Sequence, residues 1–201
     1  MDTYLTIKQD SEGLYKEKGS RFIAFALSVE SAEEIKVKLQ FFHKEYHDAR
    51  HICYAYVLGA DAAEFRANDD GEPSGTAGKP IYGVLLSNKL TNVLIVVVRY
   101  FGGVKLGTSG LITAYREAAM DAINNVQIIE KTVELSYIVS FEYTLMNDIM
   151  RVLKEKGCEI IKQTFDNDCV IQFKIRKLNA KDMENRMMKI DKVKLTLIVE
   201  K

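Results

Sequence analysis

The sequence has no tryptophan, two prolines, three cysteines and no net charge, since 28 Lys and Arg balance 28 Asp and Glu. This balance is well short of the strongly basic one expected of a protein that binds nucleic acid mainly by counterion release, so the net charge says little about such binding. The cysteines form no C-x-x-C pair, so neither a disulfide framework nor a zinc site is indicated. No apolar run approaches the roughly 18 residues that span a bilayer, and no signal peptide begins the chain. We expect a cytoplasmic protein with buried thiols and no membrane contact.

The composition is that of an ordinary globular protein, with 47% apolar and 28% charged residues among 201. That length allows one large domain or two smaller ones. Residues 1–130 contain 14 Lys and Arg against 17 Asp and Glu, and residues 131–201 contain 14 against 11. The net charges of −3 and +3 are a mild asymmetry.

The first 130 residues predict a mixture of strands and helices. A capping box, Ser31 with Glu34, begins an amphipathic helix, and Ser109 is the predicted N-cap of a helix in which apolar residues recur at helical spacing. Another helix is predicted to begin near Thr76. A hairpin turn is predicted at Glu12-Gly13. The predicted strands are residues 3–8, 21–29, 51–58 and 92–101, the last as a central strand buried on both faces.

The remaining residues predict the order βαββαβ, which indicates a ferredoxin-like C-terminal domain over residues 131–201 after an N-terminal domain over residues 1–130. Gly157 is the predicted end of the first helix, Asn167-Asp168 a hairpin turn and Asn179 the cap of the second helix. The predicted elements are strand 132–141, helix 144–156, strands 158–166 and 169–177, helix 180–189 and strand 193–200.

Two glycine-rich segments are candidate anion sites. The first glycine loop, residues 71–80, has the sequence GEPSGTAGKP, and the second, residues 102–110, has GGVKLGTSG. Each precedes a predicted helix, where free backbone N–H groups and the helix dipole attract phosphate or carboxylate. Neither matches a P-loop or the dinucleotide fingerprint. The alternative for both is a tight turn that requires glycine.

Two further clusters have weaker chemical interpretations. Asp69, Asp70 and Glu72 could hold a hard cation, or be solvated loop charges beside a turn. His51 and Cys53 share one face of a strand and could form a thiolate–imidazole pair, although no third, orienting group is evident. A buried thiol and a hydrogen-bonded histidine are the structural alternative.

Four ordered stretches resemble the YigZ/IMPACT family: KGSRFIAFA, the A-R-H-x-C-x-A-Y stretch at residues 49–56, DDGEPSGTAGKP and VVVRYFGGVKLGTSGLITAY. The chain departs from the family pattern at Tyr46-His47, where a His-Pro pair is common, and at Tyr54, where Trp is frequent. The resemblance implies an N-terminal domain similar to the second domain of a small-subunit ribosomal protein. It also implies a C-terminal domain similar to domain V of elongation factor G, and a role in translational regulation.

The resemblance and the loops together predict a non-catalytic module that binds RNA, the ribosome or a protein partner in translation control, without a cofactor or metal. The alternative is a small hydrolase or transferase that acts on a phosphorylated or anionic substrate with His51 as base. The predicted binding residues are Arg21, His51, Asp70, Gly71, Glu72, Gly75, Thr76, Gly78, Lys79, Arg99, Tyr100, Gly102, Gly103, Lys105, Gly107 and Gly110.

Arg99 has two interpretations because it ends a buried strand beside the second glycine loop. It is predicted to grip an anion, and the alternative pairs it with a buried carboxylate such as Glu117. The C-terminal domain is predicted to add general electrostatic attraction, against the alternative of an ordinary solvated face. Its candidate strand cations are Lys174, Arg176, Lys192 and Lys194.

Overall fold

A computed structural model of the chain describes residues 2–165 and 169–198. It is an α+β protein, as predicted. Two compact units make up the chain, the first from Thr3 to Lys131 and the second beginning at Thr132. Within the described ranges, no helix is long and apolar enough to cross a membrane.

The first unit is built on a five-stranded antiparallel sheet of order β2-β3-β6-β4-β5, with a separate pair β1-β7. Helix α1 packs on one face, and α2 and α3 pack on the other. The strands are β1 (Thr3–Ile7), β2 (Ser11–Glu17), β3 (Ser20–Ser28), β4 (His51–Leu58), β5 (Glu64–Asn68), β6 (Val93–Tyr100) and β7 (Ile128–Thr132); the helices are α1 (Ala32–Glu45), α2 (Gly78–Ser87) and α3 (Gly107–Asn124).

Strand β6 is the central strand, as its continuous apolar run predicts. Val93, Ile95 and Val97 contact the α2/α3 core, whereas the residues between them contact the α1 core. Because side chains alternate along a strand, Arg99 follows Val97 onto the α2/α3 face.

Several local predictions about this unit are confirmed or corrected. Ser31 caps α1, where its hydroxyl accepts from the N–H of Glu34 at 3.2 Å. The chain reverses at Lys18-Gly19 instead of Glu12-Gly13, which lies within β2. Gly13 is needed there because a Cβ would come within 2.2 Å of a backbone nitrogen of α3. Helix α3 begins at Gly107, two residues before its predicted cap Ser109.

The second unit has the predicted βαββαβ order and a four-stranded antiparallel sheet of order β11-β8-β10-β9. Alternate residues of β10 pack against α4 and α5. Its elements are β8 (Glu134–Phe141), a 3-10 turn (Tyr143–Leu145), α4 (Met146–Glu155), β9 (Glu159–Phe165), β10 (Cys169–Arg176), α5 (Lys177–Met187) and β11 (Lys194–Ile198).

Two predictions about the second unit are wrong in detail. Asn179 does not cap α5, because the helix already begins at Lys177. Lys192 precedes β11 and pairs with Glu142, so it is not one of the strand cations. Gly157 follows α4 with φ +65, as predicted for a helix end. The Asn167-Asp168 turn lies outside the described residues.

Candidate anion-binding site

Strand register gathers the candidate side chains around Arg99. Phe22 of β3 is paired with Arg99 on one side, and His51 of β4 is paired with it on the other. All three residues are therefore neighbours on the sheet face that carries α2 and α3.

A buried ion pair forms beneath this position. The Nη1 group of Arg99 donates to Oε1 of Glu72 at 2.5 Å, and the Tyr115 hydroxyl donates to the same oxygen at 2.8 Å. The Arg99 guanidinium also lies over the rings of Phe22 and Phe101, at 5.4 and 5.7 Å. The buried carboxylate partner is thus Glu72, and Glu117 is exposed on α3. The positive charge of Arg99 is largely neutralised from within the chain.

His51 is oriented by a backbone carbonyl. Its Nδ1 lies 2.7 Å from the carbonyl oxygen of Asp70, and its Nε2 lies 3.9 Å from Oε2 of Glu72. A carbonyl only accepts, so Nδ1 carries a proton in this contact. The Glu72 carboxylate is beyond hydrogen-bond distance from Nε2.

Cys53 shares a strand face with His51, as predicted, but it belongs to the core. Its Sγ lies 3.0 Å from the Asp69 carbonyl oxygen and 3.3 Å from the Tyr115 hydroxyl. Burial raises the pKa of this thiol, so it stays protonated at neutral pH. The geometry therefore argues against the thiolate–imidazole interpretation.

The backbone N–H groups of the first glycine loop are already bound by a carboxylate of the protein itself, that of Asp69. Its carboxylate accepts from the N–H groups of Gly75, Ala77 and Gly78 at 2.8 to 3.0 Å. The N–H groups predicted to bind an outside anion are therefore occupied at this loop. Thr76, predicted as a binding residue, is buried and donates its hydroxyl to the Pro73 carbonyl.

The other members of the acidic cluster are engaged in the same internal way. The Asp70 carboxylate accepts from the N–H of Ile52 at 2.6 Å, and Glu72 is the partner of Arg99. In the part of the chain that the structure describes, no group of three or more metal-ligating side chains is arranged to hold an ion. These carboxylates organise the loop around His51.

The second glycine loop leaves its helix start open. In α3, whose residues are all described, Leu106 occupies the N-cap position and no side chain caps the first N–H groups. Gly102 packs directly on the β2–β3 turn, where a Cβ would come within 1.9 Å of the Gly19 carbonyl carbon. The loop is thereby held against the sheet while Gly107 and Thr108 stay exposed.

Parts of both loops line one cavity of about 610 Å³, which we name the anion cavity. Positively charged side chains, His51 and the start of α3 share its wall. The lining residues are Arg50, His51, Glu72, Pro73, Arg99, Phe101, Lys105, Leu106, Gly107, Thr108 and Leu111.

The predicted binding residues divide into five groups, the last of which is Arg21 with Tyr100. His51, Glu72, Arg99, Lys105 and Gly107 line the cavity. Gly71, Gly102, Gly103 and Gly110 belong to the two loops that border it, and Asp70 directly precedes the first loop. Thr76 and Gly78 are buried beside Asp69, and Gly75 and Lys79 line a different groove, between α2 and α3.

Arg21 and Tyr100 form a separate contact. The Arg21 guanidinium lies over the Tyr100 ring at 5.8 Å, and the Tyr100 hydroxyl donates to Asp48. Neither of these two predicted binding residues lines the anion cavity.

Sequence reasoning missed Arg50, Pro73, Leu106, Thr108 and Leu111 as lining residues. Arg50 precedes His51 within the A-R-H stretch that carries the family resemblance, which was the available signal. It considered Asp69 only as a cation ligand or a solvated loop charge and missed Tyr115, because the roles of both depend on contacts between distant segments.

Comparison with known proteins agrees with this architecture. The sequence profile of the Impact N-terminal domain matches residues 18–123, more than half of the chain. The chain belongs to the IMPACT family. IMPACT family member YvyE of Bacillus subtilis is 37% identical over 77% of this chain and 71% of its own length. IMPACT family member YigZ of Escherichia coli is 36% identical over 74% of each chain.

A solved structure extends the similarity of this IMPACT-family chain to its whole length. A crystal structure described as that of a hypothetical protein superposes with a TM-score of 0.76 at 29% identity and covers 100% of both chains. The two-unit α+β architecture therefore has an experimental counterpart.

Proposed function

We propose that this IMPACT-family chain is a translation-associated regulatory module that binds the phosphate backbone of RNA through the anion cavity without catalysis. The observation that carries the proposal is the meeting of exposed Arg50 and Lys105 with the uncapped start of α3 in one cavity. Ribosomal RNA and tRNA are the RNA classes to which the family resemblance points.

Helix α3 supplies the directional part of the site. Its first N–H groups have no side-chain acceptor among the described residues, and its 18 residues add a helix dipole that favours negative charge. Gly107 has no side chain to block an approaching oxygen, and the hydroxyl of Thr108 adds a donor.

The net positive charge of the cavity comes from its rim. Glu72 neutralises Arg99 at the floor, whereas Arg50 and Lys105 are exposed. An anion therefore gains attraction from Arg50 and Lys105 without having to break the buried pair. Such contacts to phosphate are screened by salt.

Phe101 favours a nucleic acid over a small inorganic anion. It lines the cavity with 49% of its surface exposed and lies against the guanidinium of Arg99. An exposed ring beside a phosphate site is suited to stack on an unpaired base.

Fluorescence anisotropy with labelled tRNA and a labelled ribosomal RNA fragment tests the proposal. Binding at 50 mM KCl should weaken at 200 mM, and Lys105→Ala should reduce the slope of log K against log salt by about 0.7 to 0.9. Lys36→Ala is the matched control, because it removes the same charge from an exposed position on α1, on the opposite sheet face.

The proposal fails if the wild-type chain shows no salt-sensitive RNA binding at 50 mM KCl. It also fails if Lys36→Ala and Lys105→Ala weaken binding equally, because the contact would then be diffuse. A loss caused by Phe101→Ala without a change in the salt slope would support the stacking role.

The geometry of His51 favours a second candidate, a hydrolase or transferase for phosphorylated substrates. The Asp70 carbonyl fixes the proton on Nδ1, which directs the basic Nε2 as a general base requires. Incubation with phosphomonoester and phosphodiester substrates tests this candidate. Turnover that is lost in His51→Gln would support it, whereas equal background rates in both proteins would exclude it.

A further inference from the structure

A second concave surface lies between α2 and α3 and shares no lining residue with the anion cavity. Its volume is about 570 Å³. We name it the α2/α3 groove. Its polar rim includes Lys79, Ser87 and Arg116, and its apolar floor is formed by Pro80, Val84, Ile112 and Met120.

Charge at this groove has one sign. Lys79 and Arg116 are the charged residues that line it, both are exposed, and neither forms an ion pair or hydrogen bond with any described side chain. Helix α2 contains no acidic residue that could neutralise them. An occupant should therefore present carboxylates or phosphates at the rim.

The apolar floor of the α2/α3 groove distinguishes between an occupant with carboxylates and one with phosphates. Ile112 and Met120 are partly exposed at the floor, so an occupant gains by covering them with apolar side chains between the two cations. The sugar-phosphate backbone of RNA has no such groups. The combination favours a peptide with acidic and apolar residues on one face.

Gly83 provides an independent indication of an occupant. It lies in the interior of α2, where glycine is disfavoured relative to alanine, and it is exposed in the groove. A Cβ at this position would meet no atom of the described residues within 4 Å outside its own helix turn. Nothing in the described fold requires this glycine, whereas close approach of a partner backbone would.

We propose that the α2/α3 groove binds an acidic, amphipathic helical segment of a partner protein. Apolar side chains of that segment cover Ile112 and Met120, while its carboxylates contact Lys79 and Arg116. The partner helix backbone passes close to Gly83. This interaction does not depend on RNA binding at the anion cavity.

Affinity selection tests the proposal, with phage-displayed helical peptides randomised on one face and the full-length chain as target. Enriched peptides should combine Asp or Glu with Leu, Met or Phe on that face. For a synthetic copy of an enriched peptide, Lys79→Glu and Arg116→Glu should each raise Kd at least tenfold, and Lys36→Glu should leave Kd unchanged.

Gly83→Ala separates docking from folding. It should raise Tm, because alanine favours the helix, and should raise the Kd of the peptide several-fold, because the methyl group blocks close approach. A structural role for Gly83 would instead lower Tm.

The proposal is overturned if no peptide is enriched, if the enriched peptides are basic, or if their binding is unchanged in all three groove variants. Binding of tRNA that is lost in Lys79→Glu and Arg116→Glu, without any peptide binding, would also overturn it and assign the groove to RNA.

Discussion

Replacing Glu72 with glutamine tests the claim that Arg99 belongs to the scaffold. The substitution preserves the size of the side chain and removes the charge from a pair whose side chains are only 3% and 7% exposed. Removal of one member of a buried pair costs about 3–5 kcal/mol, because the other charge stays buried without a partner. The Nε atom of Arg99 already lacks a partner among the described residues, so little compensation is available.

The size of this loss is measurable against total stability. A domain is stable by about 5–15 kcal/mol, so Glu72→Gln should remove a large fraction of it. Urea unfolding followed by circular dichroism gives the change, and hydrogen exchange of β6 amides assigns it to the first unit. Glu117→Gln is the control, because it neutralises an exposed carboxylate on α3 and should change stability by less than about 0.5 kcal/mol.

A double substitution completes the test. In Glu72→Gln with Arg99→Met, the buried charge is gone, so the double variant should be more stable than Glu72→Gln alone. A loss below about 1 kcal/mol in Glu72→Gln would refute the reasoning. So would an Arg99→Ala variant that keeps its stability but loses RNA binding, because Arg99 would then be a ligand-binding group.

Four other substitutions test separate parts of the structure. Asp69→Asn should cost about 2 kcal/mol in urea unfolding, because the carboxylate accepts three N–H groups around the start of α2. Gly83→Ala should stabilise the chain by ~1 kcal/mol, whereas Gly13→Ala should destabilise it, because its Cβ would come within 2.2 Å of an α3 backbone nitrogen; thermal unfolding compares the two. Burial, together with a hydrogen bond to a glutamate, raises the pKa of Tyr137 from 10.0 to about 12. The stabilisation that this pKa shift provides is therefore complete below pH 10 and is lost as the pH rises through about 12. Urea midpoints measured across this pH range should depend less on pH in Tyr137→Phe than in the wild-type chain.

Elements with a clear apolar pattern could be predicted from the sequence. The run in β6, the helical spacing in α3 and the capping box of α1 each depend on neighbouring residues alone. Strands β2, β5 and β7 were missed, because each lies at a sheet edge and has at most one buried residue. Their pairing partners, more than their own composition, make them strands.

The site could be predicted less completely than the fold. The predicted residues Arg99 and His51 and parts of both glycine loops line or border the cavity, but a carboxylate partner of Arg99 was only the alternative interpretation, with Glu117 on the following helix as its example. Glu72 lies 27 positions away, in a loop that register brings over β6. No local sequence pattern specifies this contact, because it depends on the path that the loop between β5 and α2 takes over the sheet.

The two glycine loops look alike in the sequence, but they differ in whether a side chain accepts hydrogen bonds from the N–H groups around the start of the helix that follows. Asp69 satisfies the N–H groups of the first loop, while the start of α3 has no equivalent acceptor among the described residues. The proposed attraction for an outside anion is therefore assigned to the second loop. Because Glu72 neutralises the buried guanidinium of Arg99, the remaining charge lies on exposed Arg50 and Lys105, where ions reach it. A site of this kind releases its ligand as ionic strength rises, whereas one built on an unpaired buried arginine would respond much less to salt.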